Sequence, residues 1–383
     1  MKLTRLFTEF LDSEKTGGLI LILCTIVSLI LANTGTHHLY AEFWHKDFGG
    51  HSVTHYINDG LMAIFFLMIG LELEREIYVG ELADLKSASL PIFGALGGML
   101  LPAGLFLALN FGTDTQAGAG IPMATDIAFA IGVMSLLGKW VPSSLKVFLI
   151  ALAVIDDLGA IMVIALFYTK TILVDNLLIS LGIFGVLVVL NRLRVHNLIP
   201  YLIGGVFMWY FMLHSGIHAT ISGVLLAFVV PFSRGDESSP SFLLQHWIHK
   251  PVALLILPLF ALANTAILIE PDWYNNLTTP ASMGIFLGLI VGKPVGIWIS
   301  AFFAVKFKVS SLPISLRWRH IFGAGLLAGI GFTMSIFITL LAFEDINMIN
   351  QAKIAVMMAS LVAGIVGFVW LKSTLRMPIT EDE

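Results

Sequence analysis

Charge is what this chain has least of. Only 12% of its 383 residues are Asp, Glu, Lys or Arg, against about 25% in soluble domains. With 57% hydrophobic residues and a mean hydropathy of +0.92, that shortage excludes a soluble globular protein. Basic surface is lacking too. A net charge of −4 offers nothing to a phosphate backbone, so nucleic acid is not expected as a partner. The one cysteine, Cys24, excludes an internal disulfide, and its apolar setting suits packing. A cleavable signal is not expected either. Met1–Lys15 is polar and amphipathic, the first apolar run begins near Gly17, and no soluble domain follows it.

What is present is a series of apolar runs of membrane-spanning length. They fall near 17–32, 57–79, 89–110, 120–138, 144–169, 174–191, 198–212, 215–231, 247–269, 282–305, 319–342 and 349–371. The expectation is an all-α polytopic membrane protein, one integral domain over 1–383, with twelve transmembrane helices. Seventeen Lys and Arg fall in one set of connecting segments and only Lys46 and Lys170 in the other. Excess Lys and Arg mark the cytoplasmic side, so both termini are expected there. The longest outward segment, roughly 33–56, contains Gly49-Gly50 between mixed residues, a signal for a two-residue hairpin turn. A lone hairpin is marginal in water, so the 43–56 region is expected to pair with a second copy of the chain. The stretch 233–240 reads as a flexible loop, and the tail after Arg376 as disordered.

Two spans break the helix rule. GAGIPMATDIAFAIG (118–132) carries Pro122, Thr125 and Asp126. GAGLLAGIGFTMSIFIT (323–339) carries Gly329, Gly331, Thr333 and Ser335. They are the fourth and eleventh spans, each the middle of a three-helix set, 3–5 and 10–12. Interrupted segments at corresponding positions point to a transporter site near the midplane between inverted repeats. Unwound backbone at that depth has to be buried in protein or line a wet cavity. A glycine-rich packing seam is the plainer reading of the glycines alone.

Few charges sit at membrane depth. Asp59 opens the second span, Asp126 lies in the fourth, Asp156 and Asp157 in the fifth, and Lys293 in the tenth. An ionised Asp at a bilayer centre costs roughly 2.5–3.5 kcal/mol. Two adjacent like charges also repel, so the pair is poorly suited to holding a fold together and well suited to exchanging a proton for a cation. Adjacent helical residues point about 100° apart. One aspartate can therefore face a cavity while the other faces a neighbouring helix, with Lys293 as its natural partner. The plainer alternative is a buried salt bridge that fixes helix packing. Carboxylate oxygens suit Na⁺ or Li⁺ as well as protons. No His or Cys accompanies the pair, which argues against a transition-metal site. His218 reads first as a packing residue, and His214 lies at an outer boundary. At the cytoplasmic end of the second span Glu72, Glu74, Arg75, Glu76, Glu81, Asp84 and Lys86 crowd together. This is either a solvated helix end or a cytoplasmic funnel whose titration gates access. His246 and His249, at the start of the ninth span, belong to the same face, and histidine is the side chain that changes charge near neutral pH.

Seven blocks gather these features: 57–76, IPMATDIAFAIGV (121–133), LKVFLIALAVIDDLGAIMVIALFY (145–168), SGIHATISG (215–223), LPLFALAN (257–264), GKPVGI (292–297) and GIGFTMSIF (329–337). In order and across most of the chain they resemble the NhaA family of sodium/proton antiporters. That family is itself a standard instance of the inverted-repeat rule, so rule and resemblance are not independent. The resemblance implies twelve helices with the fourth and eleventh discontinuous and crossing near the midplane. It implies electrogenic exchange of one Na⁺ or Li⁺ outward for about two protons inward, across a bacterial inner membrane, for sodium and pH homeostasis. It makes Asp157 the principal cation ligand and proton carrier. Asp156 becomes its partner, either binding the cation or pairing with Lys293. Lys293 becomes the competing charge, and Asp126 and Thr125 lie at the helix crossing. It puts Glu72, Arg75, His246 and His249 in a pH-sensing region, and implies neither enzymatic activity nor a cofactor. One position departs: residue 245 is Gln where the family pattern has an acidic residue beside the first histidine.

Two rivals belong to other classes. An intramembrane aspartyl protease needs one carboxylate from each of two helices, whereas this pair is contiguous and Lys293 would have no role. A cation-coupled symporter of a small organic solute needs a polar pocket, and these spans are poor in Asn, Gln, Arg and Tyr.

Overall fold

Apolar segments in a bilayer must satisfy their backbone groups internally, and this computed structural model is accordingly built of helices. It describes residues 2–168, 172–233, 238–269, 271 and 273–375, with the backbone alone at 2–15, 81, 85, 87 and 275. Lys170, residues 234–237 of the expected loop and the tail from Arg376 onward lie outside the described residues.

Helix α1 (Lys2–Ala32) begins well before the apolar run near Gly17. Beyond a 115° bend lies α2 (His37–His45). The expected hairpin follows, with β1 (Asp47–Phe48) antiparallel to β2 (His51–Ser52). Gly49 and Gly50 have φ of 71° and 95°. These are the left-handed positions that a two-residue hairpin turn needs and side chains resist. Asp47 Oδ1 accepts from the Gly50 N–H at 2.8 Å, and the Tyr56 hydroxyl donates to the Phe48 carbonyl at 2.8 Å.

A π-helical turn, Tyr56–Leu61, leads into α3 (Met62–Tyr78). Next comes α4 (Leu85–Asn110). The fourth expected span is then a tight 3₁₀ segment (Gln116–Met123), an extended stretch at 124–126, and α5 (Ile127–Ser135). Helices α6 (Ser143–Phe167), α7 (Val174–Arg192), α8 (Leu198–Leu213) and α9 (Ile221–Ala227) follow. Helix α10 (Pro240–Pro251) joins α11 (Leu257–Asn264) through a π-helical turn. Another, Gly288–Gly292, joins α12 (Pro280–Leu287) to α13 (Lys293–Lys306). The eleventh expected span is α14 (Trp318–Ala328) and α15 (Phe332–Ala342), bent by 49° at the break. Helix α16 (Ile346–Leu375) ends the described chain.

Among the described residues eight helices are long and apolar enough to cross a membrane, or up to ten if each bent pair counts as one. The expected span at 198–212 coincides with the 16-residue α8, whereas that at 215–231 is cut to the seven residues of α9. The second shortens because Gly216 turns left-handed (φ 84°) and Ser215 bonds locally. Its hydroxyl donates to the Met212 carbonyl at 2.7 Å and accepts from the Ile217 N–H at 3.2 Å. Such bonds compete with helix.

By its contacts the chain forms two compact units, each assembled from separated stretches. One contains residues 1–23, 84–160 and 267–383, the other 24–83 and 161–266. Most of both expected three-helix sets falls in the first. There α4 and α13 touch backbone to backbone: a Cβ on Gly97 would meet the Gly296 carbonyl oxygen at 2.2 Å, and one on Gly296 would meet that of Gly97 at the same distance. Small residues allow such contact between membrane helices. The second unit packs Leu71, Tyr201, Met208, Ala227 and Val230 into a buried apolar cluster.

Candidate ion site

Helix α6 carries Asp156 and Asp157, both buried. Neighbouring helical residues point about 100° apart, so the two carboxyls leave the helix in different directions. Asp156 Oδ2 forms an ion pair with Lys293 Nζ, and neither side chain has any exposure. Lys293 is the first residue of α13, directly after the π-helical turn Gly288–Gly292. Such turns insert an extra residue in a helix and are frequent at functional sites.

Thr125 completes this cluster from the extended stretch of the fourth span. Lys293 Nζ donates to Thr125 Oγ1 at 2.9 Å. The Thr125 hydroxyl lies 2.8 Å from Asp156 Oδ2 and 2.9 Å from the Ala328 carbonyl, as donor to either. It has one proton to give. Ala328 ends α14, so its carbonyl is one of those a helix terminus leaves without an internal partner.

Asp126, the next residue, joins two half-helices. Its Oδ1 accepts from the Phe129 N–H at 2.9 Å and caps α5. Its Oδ2 accepts from the Thr333 N–H at 3.0 Å and the Thr333 hydroxyl at 2.6 Å, in the first turn of α15. The Asp126 N–H donates to the Ile330 carbonyl at 2.7 Å. One carboxylate thus meets the positive ends of two helices. Ser360 on α16 accepts from the Phe332 N–H at 3.1 Å, and the Ser335 hydroxyl donates to the Ile121 carbonyl at 2.7 Å. The broken backbone is therefore satisfied by protein at depth, as a membrane interior demands.

Thr125, Asp156 and Lys293 are brought together. Asp126 belongs to the same crossing but not to the ion pair, and among the described residues no group of three or more His, Cys, Asp or Glu side chains is gathered as a metal site. Three buried carboxylates against one lysine leave negative charge that a proton or hard cation can offset.

The expected pH-sensing residues lie in the second unit. Glu72 is buried on α3, with Arg75 Nη2 3.7 Å from its Oε1 and 3.3 Å from Glu76 Oε1. Helix α10, which carries His246 and His249, packs against α3. His246 is exposed, and its ring lies parallel to that of Phe242, 6.5 Å away. His249 is half-buried and Gln245 buried. Glu74 is also buried, accepting from the Ser241 hydroxyl at 2.9 Å. His218 Nε2 meets the Tyr168 carbonyl at 2.9 Å, which fits a packing role.

The family model described as Na⁺/H⁺ antiporter 1 matches residues 8–371. A protein of Flavobacterium johnsoniae named Na(+)/H(+) antiporter NhaA 1 is 63% identical, over 98% of each chain. This chain belongs to the NhaA family of sodium/proton antiporters. An NhaA of Flavobacterium psychrophilum is 61% identical over the whole of both chains, and one of Dechloromonas aromatica 58% identical over 97% of this chain and 96% of its own. In fold, this NhaA family member is similar to the solved sodium proton antiporter MjNhaP1 of Methanocaldococcus jannaschii at pH 8. The TM-score is 0.58 at 13% identity, covering 98% of this chain and 99% of that one.

Sequence reasoning noticed Thr333 and Ser335 in the interruption but gave them no partners, and it missed Ser360, Ser241 and the Ala328 carbonyl. For Thr333, Ser335 and Ser360 the one signal was a hydroxyl in an apolar span; Ser241 lies ahead of its span and the Ala328 carbonyl is backbone, so neither gave one. Which acceptor a hydroxyl finds depends on helix crossings that no spacing rule encodes.

Proposed function

We infer that this chain is a secondary transporter that exchanges sodium ions for protons across a membrane, and that the crossing of its two broken spans is where it does so. The observation that carries the reading is the buried Asp156–Lys293–Thr125 cluster beside Asp157, in a chain of this family.

Asp157 is the principal cation ligand and proton carrier in this proposal. Asp156 exchanges Lys293 for the arriving cation, since an ammonium and a sodium ion compete for the same carboxylate. Asp126 and Thr125 hold the half-helices in place around them. Loss of one proton from Asp157 and one from the Lys293–Asp156 pair gives two protons per sodium ion and an electrogenic cycle. Li⁺, with the same hard-oxygen chemistry, is a second substrate. Twelve passes are proposed: the eight long helices, the two bent pairs, α8 and α9. The repeat relation of helices 3–5 and 10–12 rests on their matching breaks. The asymmetry of Lys and Arg supports an inner-membrane orientation with both termini cytoplasmic. Glu72, Arg75, His246 and His249 are proposed to set the pH response, and the hairpin at Asp47–Ser52 to join two copies into a homodimer.

In proteoliposomes without organic solute, sodium should drive proton flux, and raising pH should lower the apparent KM for Na⁺ by about tenfold per unit for each competing proton. Asp157→Asn should abolish the flux. Full flux in that variant would overturn the assignment of Asp157, and a requirement for an organic solute would overturn antiport itself.

A further inference from the structure

The inner half of the eleventh span, α14, starts on an imidazole. Arg317 lies in extended backbone just before the helix, and its N–H donates to Nδ1 of the buried His320 at 3.2 Å. This is half of a capping box, in which the third helical residue reaches back to the residue before the helix. Glutamate or glutamine usually does this; here a histidine does. Arg317 cannot supply the other half, because a guanidinium has no acceptor. A second tie holds the same turn: Trp370 of α16 donates its indole N–H to the Arg319 carbonyl at 2.9 Å.

The far end of α14 reaches the ion site. Its eleven residues span about 16 Å and end at Ala328, whose carbonyl is in reach of the Thr125 hydroxyl. On the way Gly325 lies so near α13 that a Cβ there would meet Cα of Pro294, the residue after Lys293, at 2.8 Å. How α14 is seated therefore sets where the Ala328 carbonyl and the start of the Lys293 helix stand.

We propose that His320 is a positioning residue for the ion site, and that its cap opens when the imidazole takes a proton. Nδ1 accepts only while it carries no hydrogen, so the neutral ring with its proton on Nε2 is the form that makes the bond. A further proton sets donor against donor. Histidine is the side chain that makes this change near neutral pH. The new charge meets no anion on the elements around it. The start of α14 is a positive helix end, with Arg317 and Arg319 in the same turn. Helices α13, α16 and α5 pack against α14. The charged residues they carry are Lys293, Lys306, Lys353 and Lys372, and Asp126, which caps α5, is held at the crossing. A proton at His320 thus frees the first turn instead of exchanging one bond for another. In the orientation proposed above this end faces the cytoplasm, so cytoplasmic acid slackens the half-helix that ends at the crossing.

Amide hydrogen exchange of residues 317–323, followed by mass spectrometry on the full-length protein across a pH series, tests the cap directly. The reference at each pH is His320→Gln, because glutamine keeps an acceptor at this position and does not titrate. The native chain should match that variant at alkaline pH and exchange its amides about 2- to 30-fold faster at acid pH, the factor for a lost helix cap. His320→Leu, which has no acceptor, should show the fast exchange at every pH. At the acid end of the transport profile in proteoliposomes, His320→Gln should outrun the native chain about twofold or more, the low end of the same range. Transport rests on the antiport reading above and amide exchange does not, so failure of one is told apart from failure of the other. Equal amide exchange in the native chain and His320→Gln at every pH would show that the cap does not titrate. Slow exchange in His320→Leu would show that the bond does not hold the turn. An unchanged transport profile in His320→Gln would take the cap out of positioning the site. Each result overturns the proposal.

Discussion

Lys293 divides its ammonium between the carboxylate of Asp156 and the hydroxyl of Thr125, and all three side chains are shut off from solvent. Each of the three comes from a different segment, so the cluster fastens α6 and α13 to the break in the fourth span.

Removing one member of a buried pair leaves the other charged and uncompensated, at a cost of about 3–5 kcal/mol. Lys293→Ala should therefore lower the thermal midpoint of the purified protein markedly. Joining Asp156→Asn to Lys293→Gln should recover most of the loss, because two neutral amides can bond each other. A double variant as unstable as the sum of the two single ones would show that the pair is not coupled.

Asp126 should separate by substitution. Asp126→Asn keeps an acceptor at the cap of α5, whereas Asp126→Ala loses that cap and both bonds from Thr333. A lost cap costs about 0.5–2 kcal/mol, and a second helix end is left open besides. Thermal unfolding should rank the native chain above Asp126→Asn and Asp126→Asn above Asp126→Ala. Equal stability of the two variants would mean that the capping bonds do not hold the crossing together.

Gln245 is buried on α10, the helix that packs on the Glu72 and Glu74 helix. A third carboxylate there makes it harder for that face to give up its protons. Gln245→Glu should therefore move the activation of exchange to higher pH, on the order of one unit for a charge at close range in a partly wetted site, with the maximal rate unchanged. Proteoliposome rates across a pH series decide it, and an unmoved profile would take α10 out of the pH response.

Both broken spans were legible in the sequence because glycine, proline and buried polar residues are what a membrane helix avoids unless something else satisfies its backbone. The resemblance favoured Asp156 over Asp157 for the contact with Lys293, and that is the pair the structure forms. The 100° offset said only that the two aspartates would differ. The hairpin was legible from two adjacent glycines, because few other residues accept both turn positions. Three kinds of feature were not legible. The span at 215–231 looked continuous because hydropathy does not register the left-handed turn at Gly216. The π-helical turn before Lys293 leaves no mark in composition. Glu74 looked like one more charge at a wet helix end, and its burial against Ser241 depends on where α10 lies.

The hydroxyl of Thr125 has two acceptors in reach and a single proton. While Asp156 bears its charge, the carboxylate is the stronger claimant. Were Asp156 neutralised, the same proton would turn to the Ala328 carbonyl at the break of the eleventh span. The charge on one carboxylate would then decide whether the two interrupted spans are stitched to each other through that bond. One shared proton makes the crossing sensitive to the charge of a single side chain.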